Sequence, residues 1–369
     1  MRAIVIGGGM FGASAAYHLA RGGADVTIFD HVHPGKATLA GAGIVCPWAT
    51  QIEDPEWYAM YAAGARYYDE LIAYLTSVGE TDLGYRKVGA LVTSTNADDL
   101  KAAGERIARR AAQAPEAGDV RFLTATEARA KFPVLREDVE AYFIPGGARV
   151  DARVLSAAMI RSAVAHGAHY HNDFVTLELT GDRVRCRNGK GETLAADEII
   201  VAGGAWASQI LEPLGFAHPV QPQKGQIIHL RLAGVDTANW PVLLPMTSHY
   251  MLAFDDSRVV VGATRETGSG FDYRVTAAGQ AEVLAAGLDI APGLASAEII
   301  ETRIGFRPAG PSVKPIFGRV PGVEGLSIAN GLGAGGISIG PYAGKLLSDI
   351  VLGRTPELPV AAYAPQARA

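Results

Sequence analysis

Six residues, Gly7-Gly8-Gly9-Met10-Phe11-Gly12, most constrain what this chain can fold into. They follow a short apolar run, Ala3-Ile4-Val5-Ile6, that reads as a buried strand, and they precede Ala13 to Ala20, which reads as a helix. This is G-x-G-x-x-G in its strand–turn–helix setting. Gly7 permits the tight turn, Gly9 lets backbone approach phosphate, and Gly12 lets the helix lie close on the strand. Helix N-terminal amides, here those around Met10 and Phe11, then face negative charge. Asp25-Val26-Thr27-Ile28-Phe29 supplies a second strand, and Asp30 ends it with a carboxylate placed for ribose hydroxyls. The segment is a dinucleotide site.

Such a site needs a large, doubly covered sheet, and 369 residues are enough for two domains with sizeable cores. Charged residues make up 19% and the net charge is -5, which points to neither a nucleic-acid partner nor an anionic membrane surface. No apolar run reaches the roughly 20 residues of a membrane-spanning helix. No signal peptide is expected, since glycines interrupt the N-terminal apolar run. Cys46 and Cys186 are the only cysteines, so no disulfide framework is expected and a cytoplasmic setting fits.

The rest of the chain interleaves two kinds of segment. Glu56 to Leu75 keeps helical spacing, and Asn96 and Thr124 cap further helices. Tyr85 to Ser94 reads as a strand with a turn, and His169 to Leu179 as a single strand before Arg183 to Arg187. Asp197 to Trp206 is a second buried strand running into the glycine turn Gly203-Gly204. Leu326 to Asn330 is a third, followed by Gly331-Leu332-Gly333-Ala334-Gly335-Gly336 and a helix. The expected fold class is α/β: a Rossmann-like lobe from residues 1–45, 146–218 and 305–369, with an α+β substrate lobe from 46–145 and 219–304 on a large, mostly antiparallel sheet. A lobe opened by one glycine loop and closed by another suits a long dinucleotide gripped at both ends, which favours FAD over NAD.

Read together, these segments resemble the FAD-dependent amino-acid oxidoreductases that include D-amino-acid oxidase, glycine oxidase and monomeric sarcosine oxidase, the glycine oxidase branch above all. The likeness is carried by Ile4 to Asp30, Gly147 to Asp151, Ile200 to Ala207, Lys224-Gly225-Gln226, His249-Tyr250, Val260 to Thr264, Gly305 to Pro308, Lys314 to Gly318, and Asn330 to Ile337. It implies a flavin between the two lobes. The implied contacts are Gly7, Gly9, Met10, Phe11, Gly12, Asp30, His31, Thr38, Ala40, Gly41, Ala42, Gly43 and Val175. They continue with Ala202, Gly203, Gly204, Trp206, Arg307, Gly333, Ala334, Gly335, Gly336 and Ile337. The resemblance also implies that Arg307, in Gly-x-Arg-Pro, binds the substrate carboxylate with Tyr250. A guanidinium fork suits that bidentate grip. Trp48 and His249 are expected to shape the substrate pocket.

The chain departs from the family pattern in two places. The last glycine turn lacks the cationic side chain that related enzymes place there, so no second cation is expected from that loop. Cys46-Pro47-Trp48 is bulkier than a glycine oxidase calls for. No cysteine stands near Lys314, where sarcosine oxidases attach flavin, so the implied FAD is non-covalent.

The implied reaction oxidises the C–N bond of a small amino acid or an N-alkyl or cyclic amino acid: glycine, sarcosine, a D-amino acid or a D-imino acid. Hydride passes from Cα to flavin N5, water hydrolyses the imine, and oxygen or another acceptor takes the electrons. Such a route needs alignment and a dry pocket rather than a dedicated base. The alternatives are a nicotinamide-dependent dehydrogenase and a non-catalytic FAD-binding subunit of an amine dehydrogenase. No metal site is expected, since His166, His169 and His171 lack accompanying ligands. A homo-oligomer is compatible with the sequence.

Overall fold

The computed structural model describes residues 1–367. Its first sheet has six strands, with β1 (Arg2–Ile6) near the centre. β1 pairs in parallel with β2 (Asp25–Phe29) on one side and with Glu198–Val201 on the other. Leu326–Asn330 extends the sheet in parallel, Ile316–Arg319 closes that edge antiparallel, and His169–His171 closes the other. Apolar runs form the central strands because both faces are covered, whereas the edge strand His169–His171 is exposed. Successive side chains point to opposite faces. Ala3 and Val5 of β1 join the helical core with α1 (Met10–Arg21), while Ile4 and Ile6 join a second core under the hairpin that begins at Val175.

The helix Gly336–Val351 lies directly on α1. A side chain at Gly344 would put its Cβ 2.5 Å from that of Ser14, so only glycine allows this approach. The same helix contains Pro341, which cannot donate to the carbonyl four residues earlier. That carbonyl, Ile337 O, instead accepts from Tyr68 Oη at 2.7 Å.

The second large sheet has nine strands. Gln221–Arg231 forms its spine, antiparallel to Glu298–Ala309 on one side and to Arg258–Gly262 on the other. Tyr250–Ala253 follows, then Val242–Pro245, which runs parallel to Ala90–Thr93. This is the antiparallel-dominated sheet expected of the substrate lobe. Residue 305 falls inside the strand Glu298–Ala309, which stays paired through Ala309.

The segment Tyr85 to Ser94 divides at its expected turn, and one expected strand is broken. Tyr85–Lys87 pairs with Ala148–Val150 in a small sheet, whereas Ala90–Thr93 belongs to the nine-stranded one. Gly89, at a φ of 80°, makes the turn between them. His169–His171 pairs with β2, but Val175–Thr180 pairs only with Arg183–Asn188. The chain leaves the parallel sheet at Asn172-Asp173-Phe174, where Phe174 is exposed. Among the described residues no helix is long and apolar enough to cross a membrane.

Candidate active site

Residues of both large sheets line one cavity of about 1120 Å³. That exceeds the roughly 300–1,000 Å³ of ordinary small-ligand clefts, leaving room for a dinucleotide and a small substrate together.

One end is a backbone cradle. Gly7 has a φ of 109°, and a Cβ there would stand 2.4 Å from Ala202 O, so the turn requires glycine. Its amide donates to Phe29 O at 2.8 Å, which ties the loop to β2. The N-cap of α1 is Gly9, so no cap side chain competes for the first-turn amides. Thr38 Oγ1 takes one of them, from Met10, at 3.2 Å. Asp30 Oδ1 accepts from the Gly8 amide at 2.9 Å and from Lys36 Nζ at 2.7 Å. The carboxylate is thereby held at the tip of β2, on the cavity wall. Gly12 does not line the cavity. A Cβ there would stand 1.9 Å from Gly7 O, so its role is to seat α1 on the loop.

Two further glycine turns complete the cradle, Gly203-Gly204 and the turn at Gly333. Nothing lies within 4 Å of a Cβ placed on Gly204 or Gly333, so both turns keep open backbone. Asn330 binds the two turns together. Its Nδ2 donates to Gly204 O at 3.0 Å and lies 3.0 Å from His218 Nε2. Burial lowers the His218 pKa to about 4, which keeps the ring a neutral partner. Gly335 faces away from the cavity, towards Ile339 and Trp57 of the helical core, because the turn has already begun to coil into the following helix.

The other end carries the candidate substrate groups. Arg307 sits opposite Gln223 on the paired strands, with its guanidinium packed over Gly225. Its Nη1 donates to Thr264 O at 3.0 Å. Tyr250 lines the same wall. His249 does too, but its Nε2 lies 3.3 Å from Glu282 Oε1, so the imidazole is turned to a neighbouring helix.

Trp48 is not in the cavity. The short turn Pro47–Ala49 directs its ring into the core shared with Ile107 and Val92, where it is 3% exposed. Cys46, Ala49, Thr50 and Gln51 form that stretch of wall instead. Arg110 donates to Ile52 O at 3.0 Å and so fixes the segment from the helix Ala97–Ala111.

A second cation is present after all, from a different element than the last glycine turn. Arg265 lines the cavity beside Arg307 and Tyr250. Desolvation and the Arg307 charge pull its pKa below the ordinary arginine value. The nearby acids are committed elsewhere. Glu266 Oε2 and Asp272 Oδ2 lie 3.3 and 3.2 Å from the fully buried Lys224 Nζ, and Asp272 also binds Arg274. Neither Arg265 nor Arg307 has an ion-pair partner among the described residues. Sequence reasoning missed Arg265, Lys36 and Asn330. The first two have no motif, and Asn330 is marked only by its place between a strand and a glycine turn.

The family model of FAD dependent oxidoreductases matches residues 2–350. The chain is 61% identical to iminodiacetate oxidase of Chelativorans sp. BNC1, whose crystal structure superposes with a TM-score of 0.98 over 100% of both chains. It is 45% identical to the uncharacterized oxidoreductase YurR of Bacillus subtilis over 98% of each sequence. Glycine oxidase of Geobacillus kaustophilus is 25% identical, with a TM-score of 0.85 covering 98% of this chain and 97% of that one.

Proposed function

The chain belongs to the FAD-dependent oxidoreductase family and acts on C–N bonds, and on that premise we propose that its substrate is a small N-carboxymethyl amine of the iminodiacetate kind. The family replaces the nicotinamide alternative with FAD, and the enzyme reading replaces that of a non-catalytic subunit.

The observation that carries the substrate reading is Arg307: a guanidinium with no acid partner, on the cavity wall beside Tyr250. A half-buried fork without an acid partner calls for an anion. The solved relative at 61% identity, an iminodiacetate oxidase, supports the class of amine.

The glycine loop Gly7 to Gly12, Asp30, and the turns at Gly204 and Gly333 fit the flavin nucleotide, since they combine open backbone with a carboxylate at a strand tip. FAD bound there supplies a two-electron acceptor for the hydride lost from the substrate Cα. The binding is non-covalent in this reading. Cys186 is buried in the core under the hairpin, and burial pushes the Cys46 thiol up to about 12.

The chain's own groups do the remaining work. Arg307 and Tyr250 hold one carboxylate and thereby fix the adjacent Cα–H. The positive wall disfavours the ammonium form of the bound amine, so it binds with its lone pair free. Among the described residues the only carboxylates lining the cavity are Asp30 and Asp173, both at the cradle end, so no acidic base reaches the amine. Two electrons and two protons leave the C–N bond, water adds to the imine carbon, and iminodiacetate yields glycine and glyoxylate.

The test is anaerobic reduction of the yellow holoenzyme by iminodiacetate, sarcosine, glycine and D- and L-amino acids, followed by an oxygen electrode on each hit. Bleaching fastest with iminodiacetate is expected. Bleaching only by monocarboxylic amino acids would overturn the substrate class.

A further inference from the structure

We infer that Arg265 reads the second carboxylate of the substrate and so makes this cleft selective for dianionic amines; the inference rests on the proposed C–N oxidation. Arg265 follows directly on the strand Arg258–Gly262 and its continuation through Thr264, whose carbonyl holds Arg307. Both guanidinium groups therefore stand on one short stretch of wall, and Tyr250 lies beside them.

Two like charges held side by side are unfavourable unless an anion answers them. The protein does not provide it. Glu266, the next residue, turns to the other side of its strand and contacts Lys224, the Gln226 side chain at 2.7 Å and Thr264 Oγ1 at 2.6 Å. Asp272 is taken by Lys224 and Arg274. The acids beneath the wall thus neutralise the buried lysine and leave both arginines to a ligand.

The two arginines are not equivalent. Arg307 is half-buried and hydrogen-bonded to backbone, whereas Arg265 is exposed and has no hydrogen bond to the protein among the described residues. Arg307 is the inner site, held by Thr264 O, and Arg265 is the outer one at the same wall. A molecule with carboxylates at both ends of a short amine spans them. A monocarboxylic amine fills only the inner site. Neither arginine belongs to the pyrophosphate cradle, which is formed by α1 and the glycine loops.

The experiment uses thiodiacetate, in which sulfur replaces the amine nitrogen between two carboxylates, and methylthioacetate, which has one. Their dissociation constants for the holoenzyme are read from perturbation of the flavin absorption spectrum. Kinetics with iminodiacetate and sarcosine run alongside. For Arg265→Gln the preference for thiodiacetate over methylthioacetate is expected to fall on the order of 10- to 100-fold, the loss of one charge-assisted contact. The same change raises KM for iminodiacetate far more than it alters kcat, and Arg265→Lys restores part of the preference. A preference within about twofold of the unaltered protein, on a scale where tenfold is roughly 1.4 kcal/mol, overturns the inference. If no amine bleaches the unaltered holoenzyme, the oxidation reading fails, while the two thioethers still decide the role of Arg265.

Discussion

Arg307 rests on Gly225: a Cβ at that glycine would stand 2.7 Å from each of the two terminal guanidinium nitrogens. The strand conformation of Gly225 accepts alanine without backbone strain, and the three atoms nearest to the added methyl group all belong to the Arg307 guanidinium. Gly225→Ala is therefore expected to fold normally and to displace the carboxylate fork. A shift of this kind lowers kcat/KM by about 10- to 100-fold. Steady-state kinetics beside a thermal melt checks it, and a collapse of the melting temperature would show that Gly225 serves the fold instead.

Removing the fork is a harsher change. Arg307→Ala leaves the cradle around Gly7 and Asp30 untouched, so FAD stays bound. Rapid anaerobic mixing should show flavin reduction slowed roughly 30- to 3,000-fold, the range for truncating a charged hydrogen-bonding partner. Unchanged reduction by iminodiacetate would remove Arg307 from the site.

Asp30 organises the opposite end through the Gly8 amide and Lys36. Asp30→Ala leaves both donors without their acceptor and removes the candidate ribose contact. Flavin fluorescence titration of the apoprotein should give weaker FAD binding by about 10- to 100-fold. Equal affinity would place the ribose elsewhere.

Three buried histidines set an acid limit on stability. Burial lowers the pKa of His18 and of His229 to about 3 and that of His218 to about 4, against an ordinary 6.5. In the unfolded chain these rings accept protons that the folded chain refuses. Their contribution is therefore complete above pH 6.5 and is lost as the pH falls from 6.5 towards about 4 and then about 3. Urea unfolding at pH 7.5 and pH 5 should give a lower midpoint at pH 5, and identical midpoints would refute this account.

Tyr68→Phe tests the repair of the proline break. It leaves Ile337 O unpaired inside the helix that follows the last glycine turn. A loss of about 1–3 kcal/mol by chemical denaturation is expected, and a neutral result would mean that water reaches the carbonyl.

The centre of the parallel sheet was legible because β1, β2, Glu198–Val201 and Leu326–Asn330 each carry a local signal: an apolar run closely followed by glycine or aspartate. Arg307 was singled out by the family likeness of Gly305 to Pro308, and the fold puts it on the cavity wall. What escaped depends on pairing between distant segments. Val175–Thr180 looked continuous with His169–His171 because both are β-prone, and only their partners separate them. Trp48 sits next to cavity residues in sequence, yet one short turn sends its ring to the core. Arg265 was missed because a cation was sought in the glycine turn at 331–336, whereas the fold brings one from the end of an antiparallel strand to the same place.

The amide of Asn330 joins glycine turns that lie far apart along the chain. During synthesis the glycine loop at residues 7–12 emerges before the wall opposite it. A nascent chain that has not yet passed residue 336 has the motif but lacks the last glycine turn of the cradle. Cofactor loading is therefore expected to follow assembly of all three turns, so that a product cut short of residue 336 stays colourless on purification.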